Sequence, residues 1–219
     1  MKKILMLTAA VCAIMVSAPA MAETAMASKS DMTTASIPAV SAEIGKMAPS
    51  IIAKDTNGKD VDLSAYKGKI VVLEWTNNGC PFVKKHYGSK NMQAVQKDLT
   101  DKGVVWVSVI SSASGKEGYV DAEGANKIVM DAGATPTHTI LDPDGTIGKA
   151  YGAKTTPHMF VIGVDGNVAY MGAIDDNSSA DPATVTGAKN YVRAAVDALI
   201  AGTPVETAQT QPYGCGVKY

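Results

Sequence analysis

Cys80 stands where an apolar, β-branched run, Ile70-Val71-Val72-Leu73-Glu74-Trp75, gives way to Thr76-Asn77-Asn78-Gly79 and then to Pro81-Phe82-Val83-Lys84-Lys85-His86. A run of that length and composition reads as a buried strand, and proline suits the first turn of a helix, where its missing N–H costs nothing. The cysteine therefore falls at a strand-to-helix junction, at the helix N-cap or beside it. There the free N–H groups and the positive end of the helix dipole favour thiolate over thiol and make the sulfur a nucleophile near neutral pH. Lys84, Lys85 and His86 lie within two turns and add to that bias. The alternative is an inert buried cysteine, since free cysteine is among the most buried residue types.

A second sulfur lies near the chain end, in Gln211-Pro212-Tyr213-Gly214-Cys215-Gly216. Its flanking glycines suit a mobile tail that swings to Cys80 and resolves a sulfenic acid or a mixed disulfide. A permanent staple is an equal reading: closing so long a loop is worth on the order of 4 to 5 kcal/mol in the chain-entropy account. His86 and His158 would tune the thiolate or bind a metal, but a satisfied surface or helix histidine is the reading preferred for both. Trp75 and Phe82 read as packing residues.

The elements that must hold these residues follow from periodicity. Ile51 to Asp55 and Lys59 to Leu63 flank Thr56-Asn57-Gly58, a hairpin signal. The strand from Lys69 to Thr76 and a helix from Cys80 to about Thr100 come next, then a near-continuous apolar strand over 103–110, as in a buried parallel pair. A polar loop over 111–118 leads to a helix from Tyr119 to Ala132. A strand over 137–141 ends in Asp142-Pro143-Asp144-Gly145, which is turn chemistry. Asp165-Gly166-Asn167 joins a strand over 158–164 to another over 168–172, and an apolar stripe places the last helix over about 183–201. The expected fold class is α/β: a mixed central sheet with helices on both faces and an N-terminal hairpin.

The chain opens Met1-Lys2-Lys3, continues apolar to about Ala18 and reaches Ala20-Met21-Ala22. Residues 1–22 thus read as a secretory signal peptide, and the apolar stretch is shorter than the roughly 20 residues of a membrane span. Cys12 lies inside this leader behind Val11, a poor fit to lipoprotein processing, so no stable membrane anchor is expected. Residues 23–43, rich in Ala, Ser, Thr and Met, read as a flexible spacer, 44–205 as one domain and 206–219 as the tail that carries Cys215. The net charge of −1 comes from interspersed signs, which argues against a nucleic-acid partner. A periplasmic or secreted location permits disulfides, and the two cysteines beyond the leader are candidates to pair.

The order of these features resembles the thioredoxin fold: a cysteine after the first core strand, Thr156-Pro157 before a later strand, an Asp-Gly hairpin and a closing helix. Ile44-Gly45-Lys46-Met47-Ala48-Pro49, with Val61 to Lys69, is similar to the redoxin branch that holds peroxiredoxins and exported TlpA-like thiol-disulfide proteins (AhpC/TSA-type redoxin domains). The resemblance implies a cis Pro157, a Thr156 backbone that pairs with an extended substrate, and a buried acid at Glu74 that shuttles protons to the sulfur; an ion pair at the strand end is the other reading of Glu74. Three departures matter. Val83 stands where thioredoxins have their second cysteine, Asn77 and Leu73 replace the peroxiredoxin Thr/Ser and Pro, and the only arginine is Arg193. The pattern most resembles a peroxiredoxin-like subgroup of exported redoxins, whose lone cysteine aligns with the first cysteine of the thioredoxin motif.

The expected function is that of an exported thiol-disulfide oxidoreductase or peroxiredoxin-like antioxidant in which Cys80 attacks and Cys215 resolves. The partners are then a thiol or disulfide protein or a small peroxide, with no cofactor. The competing classes are a copper-handling protein, with Cys80, Cys215 and a histidine as ligands, and a redox-inactive binding module stapled by Cys80–Cys215.

Overall fold

The computed structural model describes residues 41–219. The expected leader and nearly all of the expected spacer lie outside the described residues. In chain order the elements are β1 (Ile52–Lys54), β2 (Asp60–Asp62), β3 (Val71–Trp75), α1 (Pro81–Gly88), α2 (Asn91–Asp101), β4 (Val105–Ile110), α3 (Ala122–Ala132) and β5 (His138–Leu141). Then follow α4 (Thr146–Tyr151), β6 (Thr155–Thr156), β7 (His158–Ile162), β8 (Val168–Gly172), α5 (Tyr191–Ile200) and β9 (Cys215–Gly216). The central sheet has the order β5-β4-β3-β7-β8, with β3, β4 and β5 parallel and β7 and β8 antiparallel to their neighbours. This is the mixed sheet of the thioredoxin-like fold.

Every residue of β3 is buried, as its unbroken apolar run requires of a central strand covered on both faces. Val71, Leu73 and Trp75 pack with Val107, Phe160 and Tyr151 in a core closed by α4 and the N-terminal hairpin. Val72 lies in a second core with Trp106, Met159 and the apolar stripes of α2 and α5. The hairpin is fastened by His138, whose Nδ1 lies 2.8 Å from the Asp55 carboxylate and whose Nε2 lies 2.8 Å from the Tyr66 hydroxyl. Among the described residues no helix is long and apolar enough to cross a membrane.

Four boundaries differ from expectation, each for a local reason. The helix expected from Cys80 to Thr100 is two, broken at Ser89-Lys90, where Lys90 takes φ 63°. Gln93 stabilises the break by donating to the Tyr87 carbonyl (3.0 Å), which also accepts from Lys90 N–H (3.1 Å), and to that of Ala132 (2.8 Å). Helix α3 starts three residues late because Asp121 caps it, accepting from Gly124 N–H at 2.8 Å. The turn at Asp142 continues into α4, since that carboxylate accepts from the N–H groups of Ile147 and Gly148. Helix α5 begins only at Tyr191, capped by Asn190, after a short 3-10 turn over Pro182–Val185.

A left-handed backbone costs a residue bearing a Cβ about 1 kcal/mol that glycine does not incur. Lys90→Gly is therefore expected to raise stability by about 0.5 to 1 kcal/mol in urea unfolding, and Lys90→Val to lower it.

Candidate active site

Strand β3 pairs antiparallel with β7, Trp75 opposite His158, so the end of β3 and the start of β7 reach the same edge of the sheet. The chain leaving β3 turns through Asn77, whose side chain accepts from Gly79 N–H at 2.8 Å and whose carbonyl accepts from Cys80 N–H at 3.0 Å. This turn delivers Cys80 to the N-cap of α1 with Pro81 at the first helical position. The chain entering β7 delivers Thr156 and the cis Thr156-Pro157 bond to the same place. The Cys80 thiol donates to the Thr156 carbonyl at 3.0 Å.

The third contributor is the tail. Residues 215–216 form β9, antiparallel to β6, with Cys215 opposite Thr156 and Gly216 opposite Thr155. Neither cysteine is in a disulfide, and the two side chains lie close enough for each to shift the acidity of the other. Cys80 is 0% exposed, whereas Cys215 is partly exposed. Gly214 serves a close approach: at φ 140° it lies against the Thr156 carbonyl oxygen, with which any Cβ would collide.

The tail is stitched in on both sides of this point. Before it, Thr210 N–H donates to the Met171 carbonyl at 3.1 Å; after it, Val217 N–H donates to Lys154 (3.1 Å) and Ala113 N–H to the Lys218 carbonyl (2.8 Å). Tyr213 packs beside Phe82, its hydroxyl donates to Asp175, and His86 Nε2 lies 3.1 Å from the same hydroxyl. Lys85 Nζ sits 5.4 Å from the Tyr213 ring centre and 3.9 Å from Asp175, and donates to the Asn177 carbonyl at 2.7 Å.

The two thiols differ in acidity. Burial pushes the Cys80 thiol up, but the donors around it outweigh that penalty and hold it below its ordinary value. These are the Cys215 thiol, the Val83 N–H, which falls short of a formed capping hydrogen bond, the Thr156 side chain and the Cys215 N–H. Cys215 moves the other way, to about 11, through burial, its hydrogen bond to Cys80, and the negative charges of Cys80 and Glu117, with Lys218 opposing.

The structure thus brings together Cys80, Cys215, Thr156 and Pro157. It places Glu74 elsewhere: fully buried, it accepts from Tyr87 (2.8 Å), Trp106 (2.9 Å), Ser108 (3.1 Å) and Gln96 (3.2 Å), and has no hydrogen bond to Cys80. Burial raises its carboxyl above the ordinary range against the pull of those donors. It is a hub that ties β3 to β4, α1 and α2. Arg193 is bound to Asp98 and to the Ala94 carbonyl, on the α2–α5 side. Among the described residues no three His, Cys, Asp or Glu side chains converge, so neither histidine joins the sulfurs in a copper-type ligand set. A separate cavity of about 310 Å³, bordered by Thr76, Val83, Tyr87, Ser108 and Ile128, is lined by neither cysteine. Reading the sequence missed β9 and the Lys85, His86, Asp175 and Tyr213 cluster; Gly214-Cys215-Gly216 was the only trace of the first.

A sheet of this order with a dithiol at the β3–α1 junction defines a thioredoxin-like redoxin domain. The chain belongs to the AhpC/TSA family, whose pattern matches residues 44–171; Cys215 lies beyond the matched segment. The thiol-disulfide oxidoreductase ResA of Bacillus subtilis (strain 168) is 31% identical over 126 residues, 57% of this chain and 64% of that protein. The chain thus spans just under two thirds of that relative. An uncharacterised conserved protein from Geobacillus kaustophilus superposes with a TM-score of 0.70 at 28% identity, over 81% of this chain and 92% of that one. A hypothetical protein from Sinorhizobium meliloti 1021 gives 0.70 at 25% identity, over 82% and 96%.

Both histidines at the site's edges are held neutral. Burial, opposed by the Asp175 carboxylate and reinforced by the Lys85 charge, brings His86 to about 4; burial and the Lys154 charge bring His158 to about 4, and its Nδ1 accepts from Lys154 N–H. Each lies below the unfolded value of 6.5, so between pH 6.5 and 4 the unfolded chain binds more protons and stability falls with falling pH. Above pH 6.5 this contribution is complete. Denaturant titrations across that window are expected to show a loss on the order of a few kcal/mol per histidine, and His158→Asn, which keeps an acceptor, to flatten the slope.

Proposed function

We propose that this protein is an exported thiol-disulfide oxidoreductase whose working couple is Cys80 and Cys215. The observation that carries the reading is geometric: β9 sets Cys215 opposite Thr156, the residue whose carbonyl accepts from the Cys80 thiol at a helix N-terminus. Within the couple Cys80 is the nucleophile: its thiolate attacks Sγ of Cys215 in a mixed disulfide with the partner, the Cys80–Cys215 bond forms, and the partner leaves as thiolate. Family membership and the ResA relative support the reaction class, and the signal-peptide pattern of residues 1–22 supports export. Reduction of a small peroxide is the second reading, favoured by the family. It is weakened because Arg193 is engaged with Asp98, and Asn77 and Leu73 replace the expected peroxidatic residues.

A glutathione redox titration with alkylation trapping and mass spectrometry tests the proposal. The expected result is a reversible Cys80–Cys215 disulfide with a potential in the range of exchange catalysts, about −120 to −270 mV. A bridge still closed below about −300 mV identifies a structural staple, and no bridge at all moves the chemistry to Cys80 alone. Cys80→Ser and Cys215→Ser are each expected to reduce disulfide-exchange turnover to the uncatalysed rate.

A further inference from the structure

We propose that the sulfur through which exogenous thiols enter this couple is Cys215 on the tail strand, and that Cys80 is the sulfur they never touch directly. The inference rests on Cys80 and Cys215 forming a redox couple. It reverses the arrangement expected when a cysteine at a helix start faces solvent.

Three observations carry it. Thiol-disulfide exchange is an in-line displacement, so the incoming thiolate approaches the attacked sulfur opposite the sulfur that leaves. Cys80 is fully buried whereas Cys215 is partly exposed, so an incoming thiolate meets Cys215 from solvent and would have to displace protein to meet Cys80. Second, the β6 edge on which an extended partner would lie to reach Cys80 is already filled by β9. A competing strand in the same register meets the Thr156 carbonyl at the residue before its cysteine, where only a glycine fits. Third, lifting the strap means withdrawing Tyr213 from Phe82, His86 and Asp175, which uncovers the buried Lys85–Asp175 pair. Stripping a buried ion pair of its packing is costly, so the strap stays down while a small thiol reacts.

The step balances as follows. A low-molecular-weight thiolate attacks Sγ of Cys215 in the oxidised pair; the new bond joins the incoming sulfur to Cys215, the Cys80–Cys215 bond breaks, and its electron pair leaves on Cys80 as thiolate. A second thiolate attacks the bound sulfur, releases the symmetrical disulfide and frees Cys215, which takes a proton from water. Two thiols are oxidised and one protein disulfide is reduced. Once Cys215 carries the incoming sulfur its thiol no longer donates, but the Val83 and Cys215 N–H groups and the Thr156 side chain still face Cys80 as it leaves.

The test mixes the oxidised protein with glutathione, quenches with acid at early times and maps the glutathione adduct by peptide mass spectrometry. The expected result is an adduct on Cys215 at least ten-fold in excess of any on Cys80. Gly214→Ala, which pushes β9 off Thr156, is expected to shift adduct toward Cys80, and Tyr213→Ala carries the same test if that variant does not fold. An early adduct chiefly on Cys80 in the unmodified protein overturns the inference and leaves the redox couple standing. An unchanged partition in the folded strap variant overturns the strap as its cause. A bridge that glutathione never opens is distinct, because both cysteines then stay protected, and it overturns the couple and the inference together.

Discussion

The carbonyl oxygen of Thr156 is the point on which the site is built. It accepts from the Cys80 thiol, stands in the strand that receives β9, and has Gly214 lying against it. It also sits two residues before the start of β7, which the sheet locks to β3 with Trp75 opposite His158. The position of one sulfur relative to the other is thereby set by main-chain pairing in a rigid sheet rather than by side-chain rotamers. A site held in that way keeps its geometry within a fraction of an ångström.

Charge then works within that geometry. A thiolate at the Cys80 position is shielded from water, so each hydrogen bond it receives counts for more than it would at the surface. In the proposed couple the interaction between the two cysteines lowers the pKa of Cys80 and raises that of Cys215. The Lys85, His86, Asp175 and Tyr213 cluster lies one helical turn further along α1 and holds no sulfur, yet it fixes the strap. Asp175 Oδ2 is left without a hydrogen-bond partner inside it; Lys85, 3.9 Å away, faces it with a positive charge, and the neutral His86 lies 4.0 Å away.

The central strands, the hairpin turn and the Cys80 junction were legible because each depends on a short-range signal: an apolar run, Asn57-Gly58, and a proline one residue after a cysteine. The redoxin resemblance supplied the order of elements and the cis Pro157. The break at Lys90 was not legible, because nothing in the residue type announces a left-handed lysine; Gln93 and the neighbouring carbonyls stabilise it only in three dimensions. Strand β9 was hidden for the same reason. Two residues have no periodicity, and their partner strand lies some sixty positions earlier, so the glycines around Cys215 were read as freedom to move when Gly214 serves a tight fit. Glu74 was recognised as a buried acid, but its four donors come from β4, α1 and α2, and their convergence is a property of packing.

Drawing the second sulfur of the proposed couple from β9, far along the chain from Cys80, has a consequence for biogenesis. Cysteines separated by two residues can oxidise in a nascent or unfolded chain, whereas Cys80 is brought to Cys215 by the pairing of β9 with β6. The two sulfurs thus come together through tertiary structure rather than proximity in sequence, and loss of β9 would keep the sheet's core while parting them.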